Sequence, residues 1–263
     1  MNSIDISWIG LVIGLMTLIL PIYILYKYKT NLVKDTVISY GRMAIQLIFV
    51  GIYLKYIFEF DSWLINICWV FLMIIIASAS ITKRSNLKLS SMMLSIAISV
   101  MCNVVFNGLV FSFLLDGFEN LLNARYLIPI MGMVIGNTLS SSIIGIRSFF
   151  QNLIQNENKY LYMLSCGANR EEAILSFISN AFRDAFNPVI ASTAAIGLIW
   201  LPGMMTGQIL GGSEPFTAIK YQIVIVSAIF AGSVLTVYLT INLAKSIAFD
   251  DWGLIRKNIY KKL

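Results

Sequence analysis

Apolar residues run almost without interruption for about twenty positions at a time in seven stretches of the chain: 8–26, 37–58, 63–81, 89–115, 126–146, 188–211 and 216–244. A hydrocarbon layer about 30 Å thick takes on the order of 20 helical residues to cross, so each stretch reads as a transmembrane helix. The pattern predicts an all-α integral membrane protein of about seven spans, folded as a single domain over 1–263.

The linkers are short except for one, 147–187, between the fifth and sixth spans, where the period changes. In "EEAILSFISNAFRDAF", Ile174, Phe177, Ile178, Ala181, Phe182, Ala185 and Phe186 share one helical face, and Glu171, Glu172, Asn180 and Asp184 lie mostly opposite. The preceding "SCGANREE" offers Gly167 as a helix stop and Asn169 with Glu172 as a capping box, in which each side chain satisfies a backbone N–H of the other. The segment is predicted to be a helical hairpin with a tight turn at 167–169. On pattern alone it is either an amphipathic helix resting on lipid or a docking element for a cytoplasmic partner.

Composition removes the soluble alternatives. The 263 residues are 58% hydrophobic and 12% charged, with a mean hydropathy of +0.81, against roughly 25% charged in a typical soluble domain. The first run is not a cleaved signal peptide, because Asp5 precedes it and Lys27 and Lys29 follow it. Cytoplasmic loops retain Lys and Arg. An outside N-terminus and a cytoplasmic C-terminus leave only Lys55, Arg125 and Lys220 of the nineteen Lys and Arg on the outer side, with Lys257, Lys261 and Lys262 at the inner end. The net charge of +6 is therefore first a topology signal and then an attraction to anionic lipid. Nucleic acid is a poor partner for basic residues scattered among loops.

The candidate chemistry is sparse. Cys68 and Cys102 lie in spans and Cys166 in the hairpin, without zinc-type spacing, and the chain has no histidine. A His general base is thereby excluded, and the composition argues against a buried transition-metal cage of the usual His-and-Cys type. No glycine-rich loop followed by Lys and Ser or Thr is present to cradle a nucleotide, so any ATP and Mg would be bound by another subunit and no cofactor by this one. Seven spans also divide poorly into the two inverted halves of many secondary transporters.

"LSCGANREEA", "FNPVI" and "LPGMMTGQILGG" resemble the FetB/YbbM family of ABC transporter permeases, which includes plant aluminium-tolerance permeases. "RMAIQL", with Arg42 and Gln46, and "GMVIGNTLS", with Gly132, Gly136 and Asn137, fit the same pattern. The resemblance implies a non-enzymatic permease subunit in the cell membrane, working as a homodimer with a separate cytoplasmic ATP-binding subunit. It also implies export linked to iron or metal homeostasis, with a nucleotide sugar as an alternative cargo. The region 160–173 is similar to the loop by which ABC permeases dock on their ATPase, which points to Leu164, Gly167, Ala168, Asn169, Glu171 and Glu172 as coupling residues. The acidic start familiar from importers is represented only loosely, by Glu157.

The most specific block of that resemblance is also the oddest physically. Gly203, Gly207 and Gly211 recur every four residues, as do Gly132, Gly136 and Ser140, so either row lets a neighbouring helix or a second protomer approach closely. Pro202 has no N–H to donate to the carbonyl of Leu198, which predicts a kink or break in mid-span. Near it, Met204, Met205, Thr206 and Gln208 offer thioethers, a hydroxyl and an amide. Two readings stand: an interrupted helix that contacts cargo, or a helix that ends early before a packed re-entrant turn. Intramembrane Gln46, Asn103, Asn107, Asn137 and Gln208 are read chiefly as links between helices, and the methionines as packing rather than soft-metal ligands. Arg42 either snorkels to the interface or attracts an anionic cargo. A channel or secondary transporter is the competing class, although Arg42 is the one ionisable residue it would have for coupling.

Overall fold

The computed structural model describes residues 7–60, 62–250 and 253–256. Asp5, Lys257, Lys261 and Lys262, which enter the charge argument above, lie outside them. Among the described residues the secondary structure is helical: α1 Trp8–Met16, α2 Ile19–Lys27, α3 Val33–Phe60, α4 Trp63–Arg84, α5 Leu89–Leu114, α6 Phe118–Leu122, α7 Ala124–Gln155, α8 Glu157–Ser165, α9 Arg170–Ala194, α10 Gly203–Leu210 and α11 Pro215–Ala248. Six helical segments are long and apolar enough to cross a membrane, with α1 and α2 together forming the first.

Helices α4, α5, α7, α9 and α11 form the packed bundle, and α7 and α11 are the elements around which the others gather. Lipid tails are as apolar as leucine, so such a bundle is held by close van der Waals fit and by buried hydrogen bonds. Gly145 of α7 supplies one point of fit: a Cβ there would stand 3.1 Å from that of Ala185 on α9 and 3.2 Å from a methyl of Val237 on α11. By contrast, α1 and α2 bury no residue. Helix α3 meets the bundle through the Tyr53 ring, 4.4 Å from that of Trp69.

The sixth predicted span, 188–211, is not one helix. Helix α9 runs unbroken through Asn187 and Pro188 to Ala194, the chain then leaves helical geometry, and α10 begins at Gly203. Of the kink or break predicted near Pro202, the structure has the break, an eight-residue interruption at 195–202, and Pro202, in extended geometry at φ −60° and ψ 142°, caps the start of α10. Proline is well suited there, because the first N–H groups of a helix have no intrahelical acceptor in any case. The early-ending reading also fails in part, since most of "TGQILGG" is helical in α10 rather than a turn.

The segment nevertheless crosses the bundle. The α8–α9 elbow touches the C-terminal end of α11, where the Tyr160 hydroxyl donates to the Gly253 carbonyl at 2.7 Å. Halfway along, Phe186 packs edge-on to Phe230, with centroids 5.7 Å apart. Helix α10 packs on α11 and leads directly into its N-terminus. Since α11 is 34 residues, or about 50 Å, the chain from 170 to 214 climbs that full height as a helix, a break and a second short helix.

Candidate functional site

Three arrangements bring the polar residues of the chain together. The first is the elbow between α8 and α9. Helix α8 ends in a Schellman motif: the Gly167 N–H donates to Leu164 O at 3.0 Å and the Ala168 N–H to Met163 O at 3.1 Å. Gly167 sits at φ +93°, where a side chain is strained, and open space surrounds the position of its missing Cβ. Helix α9 then starts with the predicted capping box, Asn169 N–H to Glu172 Oε2 at 2.9 Å and Glu172 N–H to Asn169 Oδ1 at 2.8 Å. Both helix ends are satisfied within five residues, so the tip is stiff while Gly167 and Asn169 remain exposed.

Beneath the tip the elbow is bound to the protein itself. Ala173, Ile174, Phe177, Ala181, Ala185 and Phe186 of α9 are buried in the common core, so the amphipathic face seals against α7 rather than against lipid or a partner. Of the expected coupling residues, Leu164 packs partly on this core. Glu171, its side chain 59% exposed, accepts from the mostly buried Lys245 Nζ of α11 at 2.6 Å. Asp184 of α9 accepts from Ser148 Oγ of α7 at 2.5 Å.

Tyr160 of α8 is wholly buried, with Phe249 packed on its ring at 5.6 Å. Burial, the largest influence, pushes the Tyr160 hydroxyl above its ordinary value; Arg170 opposes this and Asp250 adds to it. The fold therefore favours the neutral phenol: its contribution to stability is complete below the ordinary tyrosine value and fades as pH rises through the raised one. In a phenolate absorbance titration, the difference between wild type and Tyr160→Phe is expected to show one tyrosine ionising later than the exposed ones. Coincident titration would contradict the buried contact.

The second arrangement is a polar knot where α5, α7 and α11 meet. Asn103, Asn107, Thr138 and Thr236 are at most 1% exposed, and Ser233 is 2% exposed. Asn107 Nδ2 donates to Asn103 Oδ1 at 2.6 Å, and Asn103 Nδ2 and Ser233 Oγ each donate to Thr138 Oγ1 at 3.3 Å. Gly232 lies against the pair, where a Cβ would fall 2.0 Å from Asn103 Oδ1. The expectation that these amides join helices thus holds for Asn103, which links α5 to α7, and not for Asn107, whose amide bonds only to Asn103 O and Oδ1 within α5. Sequence reading missed Gly232, Ser233, Thr138 and Thr236; the available signal was two asparagines four residues apart in a span, which require partners.

The third is a set of residues facing outward. Arg42 and Gln46, one turn apart on α3, are exposed, as are Gly136 and Asn137 on α7 and Gly203 and Gly207 on α10. Within the protomer nothing approaches the Cβ positions of Gly136, Gly203 or Gly207, and Gly132 is only 3.9 Å from a Met73 methyl. The close approaches inside the protomer are made instead by Gly145 and Gly232. Asn137 does not join helices: its amide donates to Met133 O at 2.8 Å in its own helix. Thr206 likewise bonds back to Pro202 O at 3.2 Å. Met205 is buried and Met204 packs partly on the core, the packing role expected for them. Gln208 keeps its Oε1 buried without a hydrogen-bond partner. Among the described residues no group of three or more Cys, Asp and Glu side chains assembles.

Similarity to known proteins extends over almost the whole chain. It is 33% identical to the probable iron export permease protein FetB of Escherichia coli, over 91% of this chain and 93% of that protein. It is 29% identical to the UPF0014 membrane protein YjkA of Bacillus subtilis, over 88% and 90%, and 28% identical to the protein ALUMINUM SENSITIVE 3 of Arabidopsis thaliana, over 86% and 83%. No solved structure matches. With its multi-pass helical bundle and a family model matched across residues 8–249, the chain is a membrane protein that belongs to UPF0014, described as an uncharacterised protein family.

Proposed function

We propose that this chain is the permease subunit of an ABC transporter: it forms the membrane path, binds no nucleotide, and is driven by a separate cytoplasmic subunit that binds ATP and Mg. The observation that carries this reading is the elbow, a rigid turn held at one end of the bundle with its tip uncovered. A partner groove can accept such a tip because Gly167 adds no bulk there. Gly167, Ala168 and Asn169 form the tip, Glu172 caps it, Glu171 stays exposed beside it while paired with Lys245, and Leu164 packs partly on the core.

Two copies form the path. The break at 195–202 leaves Leu198 90% and Ile199 82% exposed. Backbone groups outside a helix at membrane depth need protein or water rather than lipid beside them. A second copy placed over the exposed rows of α7 and α10 would cover the break and bring Arg42 and Gln46 toward an interior. The cargo belongs to metal homeostasis, as the names of two relatives suggest, and Arg42 favours an anionic form, a metal chelate or phosphate ester, over a bare cation. Export is the direction that the name of the Escherichia coli relative suggests.

The test is co-purification in detergent with the ATP-binding subunit encoded beside this chain. A complex of two copies of each, by intact mass, is the expected result. A properly inserted chain that retains no ATPase would sink the proposal and reopen the channel reading.

A further inference from the structure

Beyond the last span the chain does not trail away from the bundle. Phe249 leaves α11 in extended geometry and pairs with Ile255 in an antiparallel bridge. The Arg256 N–H returns to Ala248 O at 2.9 Å, and Leu254 N–H bonds to Asp250 Oδ1 at 2.6 Å. Of this C-terminal segment, Phe249 and Gly253 lie against the elbow. Tyr160 reaches from α8 to the Gly253 carbonyl at 2.7 Å, and the missing Cβ of Gly253 would stand 3.5 Å from that hydroxyl and 3.8 Å from a Leu164 methyl. Arg170, the first residue of α9, holds its guanidinium 5.9 Å from the centre of the Phe249 ring. One turn inside α11, Lys245, its side chain only 10% exposed, meets the more exposed Glu171. Each side of the elbow is thus fastened to the end of α11, α8 through Tyr160 and α9 through Glu171.

We propose that this double fastening is the linkage by which displacement of the elbow moves α11, with Tyr160 and Lys245 as its positioning residues. The inference rests on the proposed permease reading and specifies the route of coupling within it. Helix α11 is the effective element to pull. It contributes Gly232 and Ser233 to the polar knot with α5 and α7, and at its far end it carries α10 and the break. A push on the tip that reached only α7 would act on the helix the elbow grows from. A push carried to α11 shifts the opposite end of the bundle relative to α5 and α7. The ion pair suits the task through its buried member: Lys245 is mostly buried and Glu171 exposed, so the ammonium keeps a counter-charge only while the elbow stays beside α11.

The test uses the full complex with its ATPase in nanodiscs, on a background with Cys68, Cys102 and Cys166 replaced by serine. A single reporter cysteine stands at Ser213, in the exposed turn between α10 and α11. Its rate of labelling by a polar maleimide is compared without nucleotide and after trapping with Mg-ATP and vanadate. Wild type is expected to change its labelling rate about fivefold or more, the low end of typical coupling between sites. The double variant Tyr160→Phe, Lys245→Met is expected to retain the ATPase and to hydrolyse ATP while losing that change. If wild type binds the ATPase but the double variant responds as wild type does, or wild type does not respond at all, the linkage is overturned and the permease reading stands. If wild type retains no ATPase, the permease reading falls and this proposal with it. If the double variant sheds the ATPase, the charge exchange Glu171→Lys, Lys245→Glu decides: recovery of retention and response relative to Lys245→Glu alone supports the linkage, and failure to recover either overturns it.

Discussion

Replacing Gly232 by alanine is expected to destabilise the helix bundle by about 2 to 4 kcal/mol, combining overpacking with the orphaning of buried polar groups. The added Cβ would fall 2.0 Å from Asn103 Oδ1, 2.8 Å from Asn103 Cγ and 2.7 Å from Asn107 Nδ2. Rotation of the Asn103 amide does not solve this, because Cγ itself is too close and the residue is fully buried. Displacing the side chain would break its bonds to Thr138 and Asn107, so a steric error becomes an electrostatic one. Loss of monodisperse protein after a heating series in detergent would report the effect. Asn103→Ala in the same chain should recover part of the loss, because it removes two of the three clashing atoms and leaves only Asn107 Nδ2; this non-additivity separates a local contact from a general intolerance of alanine. A Gly232→Ala protein that melts with wild type would mean that α5 and α11 do not approach as described.

For Gly167→Arg, the expectation is an inserted and folded permease that binds its ATPase at least about thirtyfold more weakly, the size of a hot-spot loss of ~2 kcal/mol. Two causes are mixed in that variant. A side chain at φ +93° is strained, at a cost of about 1–2 kcal/mol, whatever its size. The arginine also projects into space that is open in the protomer and filled only by a partner. Gly167→Ala separates them, since it carries the strain without the bulk and should retain most of the binding. Equal loss in both variants would show that the turn itself had failed. Normal binding by Gly167→Arg would remove the tip from the docking surface.

Much of the local structure was legible because it depends on neighbours in sequence. The capping box at Asn169 and Glu172 and the stop at Gly167 are closed by atoms a few residues apart, and both occur as read. The apolar face of α9 was read residue by residue, but its partner was not, since a periodic stripe states that a face is buried and not against what. The stripe suits an ATPase groove or a lipid surface equally well, and in the structure it packs on α7. Glu171 shows the same limit: its ion pair with Lys245, 74 residues away, has no signal in the sequence around the turn, where its side chain stays exposed.

Glycine shows the same division. Rows at intervals of four were visible in "GMVIGNTLS" and "LPGMMTGQILGG", yet the tight contacts within the protomer fall at Gly145 and Gly232, which belong to neither row. Helical spacing identifies a small face but gives no information about which small face another helix reaches, because that depends on the packing of at least three helices at once. The Tyr160 contact with Gly253 was invisible for a simpler reason: neither residue stands out in its own sequence context.

By itself, the sequence determined that this protein is a multi-pass helical membrane protein, where most of its spans lie, and how the exposed elbow turns. These are consequences of transfer energy summed over about twenty residues and of hydrogen bonds closed within one helical turn. Only the tertiary structure decided that the sixth crossing is a helix, a break and a second helix, that the amphipathic face belongs to α7, and that the elbow is fastened to the last span. Those outcomes depend on which distant surfaces fit closely enough to exclude lipid and to satisfy one another's buried polar atoms, a competition among alternatives that no single stretch of chain contains.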